Sequence, residues 1–273
     1  MRWVTKLVNS QPSPRALFPY AVGEPPRSVF SSEPTACLTS GDQVDMQLLV
    51  PWLKNWPGPI SLLVRTTTIP LSIAHRRLVH RIEEFRKSNS RSNFQVHLLH
   101  VWAHTEQSNN AYLNLARLFA PTRNIVLFPG NVSVVASTDL YREAASWSNQ
   151  ATTPFLLPDP DHPEYSPLAI PFDHGLWCTE RFFPYNTRQS DWQECIWQFW
   201  LENYGNISTG NMKAVIQELP RPSLSKIEVR GMATFNRLRV EFRAESCELV
   251  ARQLETTLGH KSLSLNRLRH ICS

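Results

Sequence analysis

Glycine is scarce in this chain: 9 among 273 residues. No Gly-x-Gly-x-x-Gly follows the first apolar strand, and no Gly-x-x-x-x-Gly-Lys-Ser/Thr occurs. The fingerprints of a dinucleotide-binding turn and of a phosphate-cradling P-loop are therefore missing. No two cysteines form Cys-x-x-Cys, so neither a zinc ribbon nor a dithiol redox motif is indicated. The cysteines present are Cys37, Cys178, Cys195, Cys247 and Cys272. Their odd number argues against a complete disulfide framework, and Cys37 and Cys195 fall in apolar patterns that mark small core residues. No apolar run reaches the ~18 residues that span a bilayer. The N-terminus lacks the apolar core of a signal peptide, so the expectation is a soluble chain with no visible address. Internal repeats and low-complexity blocks are also absent.

What is present is an ordinary globular composition, with 42% apolar and 19% charged residues. It excludes global disorder and leaves ample chain for a core. The net charge is +5, carried mostly by arginine, whose planar fork matches phosphates and carboxylates. This excess suits a nucleotide phosphate or a nucleic acid, and equally a solvated basic face.

The pattern begins with a loosely ordered lead-in, residues 1–34, rich in proline and serine. Thr35-Ala-Cys-Leu-Thr39 reads as a first strand, and Asp42 as the N-cap of a helix running to about Trp56. Pro57-Gly58-Pro59 closes that helix, and residues 60–64 form a second buried strand. Residues 70–87 form an amphipathic helix with Ile73, Leu78, Val79, Ile82 and Phe85 inward and His75, Arg76, Arg77, His80, Arg81 and Arg86 outward. Residues 94–101 are a third strand, and Asn109 or Asn110 opens the next helix. Then comes Asn124-Ile-Val-Leu-Phe-Pro-Gly-Asn131, a short apolar run stopped by three turn formers. A helix from about Thr138 to Trp147 follows it. Residues 151–171 are a proline-rich loop with a short strand at 167–171. Residues 191–204 make a helix dense in aromatics, among them Trp192, Trp197, Phe199 and Trp200, which must be buried or cover a ligand. Residues 237–243 alternate like a half-exposed strand, and residues 245–258 read as an amphipathic helix.

Alternating strands and helices with continuous apolar strands predict a mostly parallel α/β sheet with helical crossovers. In such sheets ligands bind beyond the carboxyl ends of the strands, which puts the site at residues 129–133.

The segments also resemble one family. Thr35-Ala-Cys-Leu-Thr-Ser-Gly41 followed by Leu53-Lys-Asn-Trp-Pro-Gly-Pro-Ile-Ser-Leu-Leu-Val64 is similar to the opening of glycosyltransferase family 49, the LARGE-type transferases. Asn110-Ala-Tyr-Leu-Asn-Leu-Ala-Arg117, the run 124–135 and Leu140-Tyr141 resemble that family's approach to its sugar-nucleotide strand. Trp177-Cys-Thr-Glu-Arg-Phe182 and Asp191-Trp-Gln-Glu-Cys195 resemble its acceptor-side segment. The likeness is closest to fungal members and covers roughly residues 35–204.

It implies a GT-A-like, Rossmann-type domain over residues 35–210, with a small α+β extension at 211–273. It implies inverting hexosyl or glucuronyl transfer from a UDP-sugar to a glycan or glycoprotein acceptor in the Golgi or secretory lumen. Nucleic-acid binding through the basic helix would need aromatics beside its arginines, and these lie near Asp191 instead, so no nucleic acid partner is expected. Relatives hold Mn2+ on Asp-x-Asp after the central strand, where this chain has Pro129-Gly130-Asn131. Either the metal is held elsewhere, or arginine or lysine meets the phosphates, or the protein is a non-catalytic sugar-nucleotide or glycan-binding relative. The nucleotide-binding candidates are Thr39, Ser40, Arg65, Pro129, Gly130, Asn131 and Arg181. Asp159-Pro-Asp161 spells Asp-x-Asp in a loop and is the metal candidate. Asp191 and Glu194 share a helix face and are candidates for the general base, although Asp-x-x-Glu also fits a capping box.

Overall fold

The structure is a computed structural model. It describes residues 15–25, 33–43, 45–89, 93–103, 109–130, 132–149, 153–178, 187–202, 208–209, 243–252 and 255–256. Asn131 and Arg181 lie outside the described residues, as do 237–242 of the strand expected at 237–243; Arg243 itself is helical.

The four apolar runs are strands of one sheet: β2 (Thr35–Gly41), β3 (Ile60–Thr66), β4 (Phe94–His100) and β5 (Asn124–Leu127). They lie in the order β4-β3-β2-β5, and all three contacts between them are parallel. Strands in the middle of a sheet covered on both faces have no wet side, which is why these runs are apolar without alternation. Among the described residues the sheet has eight strands. β1 (Ala16–Val22) adds antiparallel to β4 at one edge. Beyond β5 come β7 (Leu168–Pro171) and β6 (Phe155–Leu156), antiparallel to their inner neighbours, and the two-residue β8 (Ser208–Thr209).

Among the described residues, helices cover the sheet on both faces. One face carries α1 (Leu49–Asn55), α2 (Ile73–Ser88) and α4 (Thr138–Ser148), packed over Ala36, Leu38, Leu62 and Val64. The opposite face carries α3 (Asn109–Leu118) and α5 (Arg188–Glu202), packed with Cys37, Leu63 and Leu99. Alternate residues of each central strand thus feed two separate cores. Residues 110–117 of α3 are all buried, because the helix lies between the sheet and α5.

Several local expectations need correction. The lead-in contains β1, whose Leu17 and Phe18 pack on the two cores. Asp42 does not cap the first helix: its carboxylate accepts from the Thr66 hydroxyl at 2.5 Å. Asp45 instead caps a short 3-10 turn, Met46–Leu48, that leads into α1. His75 does not decorate the outer face of α2; it is buried against Phe18 and hydrogen-bonded to His100 at 2.9 Å. The aromatic helix starts at Arg188, three residues earlier than expected. Thr187 Oγ1 accepts from the Ser190 backbone N–H while Ser190 Oγ accepts from the Thr187 N–H, so Thr187-x-x-Ser190 is the capping box. Residues 243–252 are helical, and Cys247, Val250 and Ala251 pack in the core with residues of α3 and α5. Cys195 is in the core as expected but is bonded to Cys178. Cys247 is also in a disulfide, and Cys37 is the free thiol among the described residues.

Candidate functional site

The order β4-β3-β2-β5 reverses direction between β2 and β5. Chain leaving β2 crosses one way and chain leaving β5 the other, so a crevice opens at their carboxyl ends. A cleft of about 210 Å³ lies there. Its floor is Thr39, Ser40 and Gly41 at the end of β2, with Leu63 and Arg65 of β3 on one side and Pro129 and Gly130 just past β5 on the other. Asn109 and Tyr112 of α3 and Arg188 of α5 close it. The structure therefore brings together Thr39, Ser40, Arg65, Pro129 and Gly130 from the candidate list.

The turn after β5 is held by α1. Trp52 Nε1 donates to the Val132 carbonyl at 2.6 Å, and Asn55 Nδ2 donates to the Ala136 carbonyl at 3.0 Å. A side chain at Gly130 would press on Val134 at 3.2 Å. Trp52 and Trp56 both meet Phe128 edge to face. The Trp-Pro-Gly-Pro passage thus sets the position of the strand end opposite.

Two arginines reach the cleft, in different conditions. Arg188 Nε donates to the Pro129 carbonyl at 2.8 Å and its Nη1 to Asn110 Oδ1, so it ties α5 to the end of β5 and the start of α3. Sequence reading did not single it out; it occupies the first turn of a helix whose start was placed three residues too late. Arg65 lies 5.4 Å from the centre of the Tyr112 ring, and among the described residues no carboxylate pairs with it. The lining residues include no Asp or Glu.

The acidic candidates are elsewhere. Glu194 is buried and does not line the cleft; Arg243 grips it through Nη2 at 2.7 Å and Nε at 3.1 Å on Oε1. Asp191 is buried in the first turns of α5, and its carbonyl accepts from Asn110 Nδ2. Asp159 Oδ1 accepts from the backbone N–H groups of Asp161 and His162 at 3.1 and 3.2 Å, which organises its own loop. Among the described residues no three His, Cys, Asp or Glu side chains gather where one ion could take them all. Pro129 and Gly130 offer no side-chain oxygen. The described residues therefore do not fit a Mn2+ held by hard anionic oxygens at this strand end.

Buried polar groups set the wall behind α3. Arg117 donates to the carbonyls of Leu176 at 2.7 Å, Phe172 at 2.9 Å and His174 at 2.5 Å, and sits 4.1 Å over the Trp177 ring. Burial pushes its guanidinium down to about 9. His97 accepts from the Tyr20 N–H at Nδ1 and bonds the Ser61 hydroxyl through Nε2; burial pushes it down to about 3.

No protein-family model matches the chain, and no curated protein matches it either.

Proposed function

We propose that the protein is a glycosyltransferase-like enzyme that takes a UDP-linked sugar in the switch-point cleft and passes the sugar to a glycan or glycoprotein acceptor. The observation that carries this reading is the convergence of Thr39, Ser40, Arg65, Pro129 and Gly130 on one cleft at the carboxyl ends of β2, β3 and β5. A diphosphate leaving group gathers negative charge as the sugar departs, and a fixed cation is what stabilises it. Arg65 has the fork geometry for two phosphate oxygens. In this proposal it does the work that a metal does in the family the chain resembles, and Tyr112 holds its plane. The described cleft, about 210 Å³, is below the ~300 Å³ typical of whole ligand pockets, and in this proposal it receives the diphosphate end of the donor.

A second reading is a binding domain that keeps the donor site and does not transfer. One observation favours it: Glu194, the candidate base, is buried in an ion pair with Arg243. Calorimetric titration with UDP and UDP-sugars, with and without Mn2+, separates the two when paired with a transfer assay. Donor binding that needs no Mn2+ and falls at least tenfold in Arg65→Ala supports the cleft; transfer then makes it an enzyme, and binding without transfer makes it a binding domain. Unchanged affinity in Arg65→Ala would sink both.

A further inference from the structure

We infer that the loop between β3 and α2 is a membrane-docking element that seats the protein on an anionic lipid surface. Ile69, Leu71 and Ile73 are 58%, 70% and 64% exposed, and Trp102, just past β4, is 45% exposed. The Val101 N–H donates to the Thr66 carbonyl and His100 Nδ1 donates to the Thr68 carbonyl, so the segments that carry these side chains leave the sheet side by side.

The aliphatics are held outward by the backbone. Leu71 has φ 62°, a left-handed conformation that a leucine adopts only at a cost. The Ser72 N–H closes a turn on the Ile69 carbonyl, and Ser72 Oγ caps α2 through the His75 N–H. Strain at an exposed, unpacked leucine stabilises nothing in the fold itself, which points to a use outside it.

Charge selects the partner. Arg15 lies 4.6 Å over the Trp102 ring, and Arg76 and Arg77 are exposed in the first turns of α2. No Asp or Glu occurs in sequence between Asp45 and Glu83. Asp42, half-buried with its carboxylate on the Thr66 hydroxyl, lies at the base of the loop. Apolar tips, an interfacial tryptophan and a rim of Arg15, Arg76 and Arg77 complement a negatively charged bilayer, where tips enter the acyl boundary and arginines meet phosphates. Because the patch and the cleft share the edge formed by the carboxyl ends of the strands, docking turns the cleft toward the membrane plane. The inference does not depend on what the cleft binds.

The test is sedimentation of the full chain with phosphatidylcholine vesicles, with and without phosphatidylserine. Binding is expected only with phosphatidylserine, and should weaken as salt is added. Leu71→Asn with Ile73→Asn should abolish it, and each of Arg76→Gln and Arg77→Gln should weaken it roughly fivefold. Asparagine tolerates the left-handed conformation, so the melting temperature of the double variant should not fall, and loss of binding cannot be put down to unfolding. No sedimentation with either vesicle, or sedimentation that the double variant leaves intact, would overturn the inference. So would a lipid-free dimer, seen by light scattering, that the double variant dissolves; the patch would then join two copies.

Discussion

Glu194 shows how a side chain that looks catalytic in a line of sequence can be structural in space. Its carboxylate sits in the core with one arginine on it, and Arg243 also lies 4.9 Å from the Trp197 ring. Removing one partner of a buried pair leaves a charge with no solvent, which costs about 3–5 kcal/mol. Glu194→Gln should therefore lower the unfolding free energy obtained from chemical denaturation by about 3 kcal/mol, the low end of that range, since glutamine keeps one acceptor. Replacing both, Glu194→Met with Arg243→Met, should recover most of the loss. A double variant as unstable as Glu194→Gln alone would return Glu194 to the list of functional carboxylates. Nothing in Asp-x-x-Glu could have foretold this pairing, because the partner lies 49 residues away, in a stretch whose alternation read as a strand. Arg65 differs: it follows directly from a strand end and its place could be read from the pattern.

Elements were legible where they are buried on both sides and obscure where they are not. β2 to β5 announce themselves as apolar runs between turn formers. β1 does not, because Pro19 interrupts it and a bulge between Phe18 and Val22 swings Tyr20 to φ 50°. Proline lacks the ladder donor, which confines it to an edge strand, and β1 is an edge. There the Tyr20 N–H bonds His97 Nδ1 at 2.9 Å in place of a ladder partner. The turn between α1 and β3 gives a prediction at this scale. A Cβ on Gly58 would lie 2.8 Å from the Pro34 carbonyl oxygen and 3.2 Å from the Tyr141 ring. Backbone on one side and a ring on the other leave little room to yield, so Gly58→Ala should destabilise by about 1–3 kcal/mol. Gly175→Ala, where nothing lies within 4 Å, is the control and should change the melting temperature little. Equal losses in the two would show that backbone entropy, not crowding, is being measured.

The molecule as a whole should weaken in acid. His97 and His174 are neutral in the fold, held down to about 3 and about 4, chiefly by burial and for His174 also by the Arg117 charge, partly offset by Asp173. Unfolded, each takes a proton near pH 6.5. Between those values the unfolded chain binds more protons than the native one, so stability rises with pH through the window and is complete above about pH 6.5. His97 alone should contribute a slope of up to about 1.4 kcal/mol per pH unit. Urea midpoints measured from pH 4 to 7 should rise, and His97→Gln should flatten the curve. A flat curve for the native chain would contradict the burial of both rings. The Cys178–Cys195 bond has a consequence of another kind. It makes residues 178–195 a covalent ring that carries the start of α5. A protease that cuts once inside the ring opens it without releasing either piece. On a denaturing gel such a nicked molecule runs as one band until a thiol is added and as two afterwards, so a gel without reductant would hide the cut.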